Sequence, residues 1–124
     1  MAQFDQAKYR EATAVFKLGV KANGAAVHRT LNREPKGKGW VQCKNSPVGV
    51  MCKPDKVRAA IELFKRAYEI FPDIVAVNQI ALAHEMIGEF EAARRYFLLM
   101  RGQAARETNA AYLQAAAIGL ERTK

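Results

Sequence analysis

The stretch WVQCKNSPVGVMCK, Trp40 to Lys53, holds both cysteines and the one tryptophan of this chain. Two thiols in one loop can close into a disulfide, join a metal site or stay unpaired. The C-x8-C spacing is not the short knuckle of structural zinc sites. His28 and His84 are the sequence's two possible nitrogen ligands, so a metal is not expected. The cysteines are symmetric about the Pro47-Val48 bond. A two-residue turn there would set Ser46 opposite Gly49 and Cys43 opposite Cys52. Such a pair has its Cα atoms about 4.5 Å apart, within disulfide reach. Pro47 conflicts with that turn, because its φ is fixed negative where tight hairpins prefer it positive. A three-residue loop with Gly49 left-handed suits the residues better and moves the cysteines to a diagonal. In both registers the sulfurs lie close. A Cys43–Cys52 disulfide is therefore expected, and two unpaired thiols in a cytosolic protein are the alternative. A disulfide would staple a loop peripheral to the rest of the chain and imply an oxidising compartment such as the periplasm.

No other residues assemble a reaction centre. The segment EPKGKGW lacks the spacing and terminal Ser/Thr of a phosphate-binding Walker loop. Ser46, the single serine, lies in a turn. His84 sits on the apolar stripe of a helix. With no nucleophile–base–acid set, paired carboxylates or cofactor motif, neither an enzyme nor a bound cofactor is expected.

Charge marks the same loop. The chain of 124 residues carries a net charge of +8. Arg29, Arg33, Lys36, Lys38, Lys44, Lys53, Lys56 and Arg58 face only Glu34 and Asp55 between residues 29 and 58, a net of +6. Such a field attracts acidic partners: nucleic acid, anionic lipid, acidic peptide or cell-wall polymer. The bland reading is a solvated, lysine-rich loop. No run approaches the roughly 18 apolar residues of a membrane span. The opening MAQFDQ shows no signal peptide. It fits a cytoplasmic start, or a mature domain behind a new methionine.

The elements that hold this loop read as helices. Residues 5–31 carry apolar positions such as Val15, Leu18 and Ala22 at helical steps, with Gly24 as a weak point or an end. From Asn32 to Asp55 prolines and glycines break the pattern. Val57, Ala60, Ile61, Phe64, Ala67, Tyr68 and Phe71 then form a clean apolar stripe. Pro72 stops that helix and Asp73 caps the next. A third helix carries Ile74, Val77, Ala81, His84 and Ile87. After a turn at Gly88, a fourth carries Phe90, Ala93, Phe97 and Met100 and ends near Gly102. A fifth covers about Glu107 to Glu121.

A repeat underlies this order. Ala60-x3-Phe64-x2-Ala67 recurs downstream as Ala93-x3-Phe97-x2-Met100. Val77-x2-Ile80-Ala81-x2-His84 precedes the second copy. The pattern resembles the tetratricopeptide repeat, a helix–turn–helix unit of about 34 residues with the pattern W-x2-L-G-x2-Y…A-x3-F…P. The step from Phe64 to Phe97 is close to that period. Pro72 falls on its proline; Val77, His84 and Ala105 depart from it. Val15-x2-Leu18-Gly19-x2-Ala22 fits an earlier first helix, nearly two periods before Val77 rather than one. The excess implies an insertion, near 27–55, inside the first repeat. Ala111-x2-Gln114-Ala115-x2-Ile118 fits a lone capping helix. The resemblance implies an all-α, single-domain stack over 1–124: two repeats and a cap, with an inserted loop or small hairpin. Small residues (Gly19, Ala60, Ala67, Ala81, Ala93) let helices approach, and Phe64, Phe90, Phe97 and Ile80 fill the gaps between them.

The resemblance further implies a non-catalytic scaffold or adaptor, set by analogy in bacterial envelope assembly. Its concave face would bind a peptide or partner helix through Val75, Asn78, Leu82, Glu85 and Met86, and through Asn109, Tyr112 and Ala116 of the last helix. The plainer alternative is that these residues only pack against neighbouring helices. A dimer contact would help so short a stack. The second functional reading is polyanion binding by the basic insertion, with Arg29, Arg33, Lys36, Lys38, Lys44 and Lys53 as the patch and an exposed Trp40 for stacking. Trp40 packed onto the helices is the competing expectation.

Overall fold

The computed structural model describes residues 4–29 and 35–124. In chain order they form α1 (Gln6–Ala25), β1 (Val27–His28), β2 (Val41–Gln42), β3 (Met51–Cys52), α2 (Pro54–Ile70), α3 (Ile74–Met86), α4 (Phe90–Arg106) and α5 (Ala110–Arg122). The fold is all-α, with one small sheet added between α1 and α2. Arg33 lies outside the described residues.

The helix starts follow from local chemistry. Asp5, Asp73 and Asn109 accept hydrogen bonds from the amides of Lys8, Val75 and Tyr112, answering amides that a first turn leaves without partners. Pro54 opens α2, where its missing N–H costs nothing. Short connections at 71–73, 87–89 and 107–109 fold the chain back, so each helix packs on its predecessor. Gly88, with φ of 82°, supplies the left-handed turn between α3 and α4.

Two helix ends differ from the sequence expectation. α1 stops at Ala25 rather than near residue 31, because Val27 and His28 leave the helix to pair with Cys52 and Met51. α4 runs through Gly102 to Arg106. Buried packing carries it past the glycine: Ala104 joins the core, and Gln103 donates to the Pro72 carbonyl at 2.9 Å.

The core is in two parts. Val57, Ala60, Ile61 and Phe64 of α2 meet Ile80 and Ala83 of α3, and Ala26 at the end of α1 and Cys43 and Cys52 of the insertion join them. Ile74, Val77 and Ala81 on the other side of α3 meet Ala93, Phe97, Met100 and Ala104 of α4 and Ala116 and Leu120 of α5. Phe64, Phe97 and Ile80 are buried as expected; Phe90, at the start of α4, is half-buried.

Both parts close on the same device. The Phe64 ring lies where a side chain on Gly19 of α1 would be; a Cβ there would stand 2.7 Å from it. The Phe97 ring covers Gly119 of α5 in the same way, and more closely. Alanine is the better helix former by about 1 kcal/mol, yet at these sites overpacking against a ring costs about 1–3 kcal/mol. Gly19→Ala and Gly119→Ala should therefore lower the urea midpoint. Gly24→Ala, with nothing within 4 Å of the added carbon, should raise it by the equivalent of about 0.5–1 kcal/mol. Equal shifts of one sign for all three would contradict this packing.

Candidate interaction surface

The cysteine loop is a hairpin whose register differs from the two-residue turn. Val41 pairs with Cys52 and Gln42 with Met51, and the Cys43 amide donates to the Val50 carbonyl at 2.8 Å. Cys43 thus opposes Val50, and the two cysteines form a diagonal pair on one face. Gly49 is left-handed with φ of 92°, as expected, but six residues, 44–49, separate the facing pair Cys43 and Val50, where the sequence suggested a turn of two or three. The Gln42 side chain braces the turn, donating to the Pro47 carbonyl and accepting from the Gly49 amide.

Both thiols are free and buried against α2 and α3. Burial pushes the Cys43 thiol up to about 12, and a hydrogen bond with Cys52 and the nearby Cys52 charge add to it. The insertion is not peripheral. The Lys44 amide donates to the Met86 carbonyl at 2.8 Å, at the C-terminal end of α3. The Cys52 thiol points at the same carbonyl, 3.9 Å away. Trp40 is half-buried and packs against residues of the insertion. Its Nε1 donates to the Lys36 carbonyl, Lys53 Nζ stands 5.0 Å from its centroid, and the His28 ring is 6.0 Å away.

Glu85 joins the insertion to the far end of the chain. Its carboxylate takes two bonds from the Arg122 guanidinium, at 2.6 and 2.7 Å, and one from Asn45 Nδ2 at 3.0 Å. The Glu85 hydrogen bond raises the pKa of Arg122 against an opposing burial effect. Glu85 therefore spends its charge within the molecule.

The residues expected on the concave face separate accordingly. Ala116 is fully buried in the core. Asn109 caps α5, and Tyr112 packs against the second core. Asn78 is half-buried on α3. Val75 borders a cavity of about 320 Å³ between α1 and α3, where Tyr9, Ala12, Phe16, Val20 and Phe71 supply most of the wall. Leu82, Glu85 and Met86 border a second cavity of about 310 Å³, shared with Arg29, Lys44 and Arg122. Of the basic patch, Arg29 and Lys44 reach this cavity and Lys53 covers Trp40, while Lys36 and Lys38 are exposed elsewhere on the loop.

The α1 wall was not foreseen, although the repeat offset contained it. Thr13, Phe16 and Val20 precede Val75, Asn78 and Leu82 by the same offset that relates Val15 to Val77.

His84 is half of a second polar knot. Its Nδ1 lies 2.9 Å from Glu89, its ring stacks on Tyr96, and Nε2 is buried without a partner among the described residues. Among those residues no three His, Cys, Asp or Glu side chains gather as metal ligands, and no helix is long and apolar enough to cross a membrane. Set against known protein families, curated proteins and solved structures, the chain matches none.

Glu89 supplies a pH test. Partial burial raises its pKa, but hydrogen bonds from His84 and Arg58 outweigh that and hold it below 4.5. A depressed carboxylate stabilises the fold above its unfolded pKa, and this contribution disappears as pH falls through the folded value. Urea midpoints should show Glu89→Gln losing less stability than the parent between about pH 5 and pH 3. Equal acid losses would contradict the linkage.

Proposed function

We propose that the chain is a non-catalytic interaction module, holding a peptide or helix of a partner protein in the groove between α1 and α3. The observation that carries this is the apolar cavity itself. It is walled by aromatic and aliphatic side chains, with Lys17, Thr13 and Asp73 as its polar members. Val20 and Tyr9 remain 48 % and 40 % exposed there. Apolar surface left open in a concave site, with a few polar groups to orient a ligand, is what binding sites offer. The cavity also lies between two first helices of the tetratricopeptide pattern, where that resemblance puts a concave face. The partner is a protein segment with an aromatic or branched aliphatic anchor.

Randomised peptides displayed on phage and selected on the immobilised protein provide the test. The selected set should share an apolar anchor, and Val20→Glu should weaken its binding at least ten-fold. Ile118→Glu, on the exposed face of α5, should leave binding unchanged. Peptides indifferent to Val20→Glu would reject the groove.

The reading includes an oxidising, envelope-type compartment with Cys43 and Cys52 joined. Two buried cysteines diagonal to each other on one face of the hairpin support it. Loss of two protons and two electrons to an oxidised dithiol protein would form the S–S bond and leave the acceptor as a dithiol. Closing so short a loop removes unfolded-chain entropy worth about 2–3 kcal/mol. Unreduced protein from its native compartment, alkylated in denaturant, should gain no alkyl groups by intact mass; a gain of two would reject the bond.

A further inference from the structure

We infer that the bound segment carries acidic residues beside its apolar anchor, read by a basic groove that continues the apolar one along α3. This rests on the interaction-module reading and specifies its ligand class.

Val75, Leu82 and Met86 are spaced seven and four positions apart, so they share one side of α3. Val75 borders the apolar cavity, and Leu82 and Met86 floor the second. The cations around that floor come from distant parts of the chain. Arg29 follows β1, Lys44 lies in the hairpin loop, and Arg122 ends α5. Among the described residues Glu85 is the one carboxylate in the lining, and its two oxygens are engaged by Arg122 and Asn45. Its charge is offset within the protein, which leaves the field of Arg29 and Lys44 facing the cavity.

The C-terminal end of α3 would ordinarily repel an anion through its bare carbonyls. Here the carbonyls of Ala83, His84, Glu85 and Met86 accept from the amides of Ile87, Glu89, Gly88 and Lys44. The cavity therefore presents aliphatic floor and cationic rim, which complements an acidic side chain or two on a peptide rather than an apolar one. A nucleic acid fits less well. The aromatic it would stack on, Trp40, is already flanked by Lys53 and His28 and does not line this cavity.

The helical rise from Val75 to Leu82 spans about 10 Å, the length of about three extended residues. The acidic position should thus lie about three or four residues from the apolar anchor.

The test uses the phage-selected peptides that depend on Val20. They should be enriched in Asp and Glu at that distance from the anchor. The Arg29→Gln/Lys44→Gln double variant should bind such a peptide at least ten-fold more weakly at low salt. A copy of the peptide with Asn and Gln in place of its acids should bind parent and variant alike. Val20-dependent peptides without acidic enrichment, or an unchanged affinity in the double variant, would overturn this inference and leave the groove standing. Oligothymidylate binding that is lost in the same variant would reassign the groove to polyanions and also overturn it. Peptides indifferent to Val20 would remove the interaction reading and this inference together.

Discussion

A carboxylate near the C-terminal end of α3 is a poor place for a buried charge. Glu85 is 4 % exposed, and the last turn of a helix ordinarily disfavours negative charge. Burying an ion costs several kcal/mol unless it is paired and hydrogen-bonded. The pairing found here reaches across the whole chain. Arg122, at the last turn of α5, grips both oxygens, and Asn45, in the insertion, reaches one of them. Removing either α5 or the hairpin would leave Glu85 underpaired. One local requirement therefore fixes where two distant segments end up, and it builds the basic cavity between them.

The helical layers obey a different constraint, the fit of rings into gaps. Phe64 and Phe97 project from the second and fourth helices onto glycines of the first and fifth. Glycine weakens a helix, so its presence there is a local cost offset by close packing. This places α1 tightly against α2 and leaves the Tyr9–Val20 side of α1 free to wall a groove with α3. The openness of the groove and the tightness of the core are consequences of the same helix.

What could be read from the sequence was what repeats locally. The stripe from Val57 to Phe64 named the face of α2 that is buried, and Asp73 marked the start of α3 through the chemistry of one turn. The recurrence of Ala-x3-Phe located both ring positions, and Gly19 stood out as a point of close approach. What escaped notice is non-local. Glu85 looked like a surface residue of a binding face because its partner lies 37 positions away, with no periodic signal to announce it. The cysteine register depended on how Pro47 and Gly49 share one turn. The end of α1 depended on a strand pairing with residues 51 and 52. Gly102 failed to end α4 because tertiary packing overrode a modest local preference.

The hairpin between α1 and α2, on this account, belongs to the helical core and folds with it. Native-state hydrogen exchange measures this directly through two amides, those of Cys43 and Lys44, which donate to Val50 and Met86. If the hairpin and helices form one cooperative unit, both amides exchange only by global unfolding, at the free energy found for Ile61 and Phe64 in α2, and they follow the same denaturant dependence. Exchange of Cys43 and Lys44 at much lower free energy, with α2 still protected, would show a hairpin that opens on its own and would contradict the account.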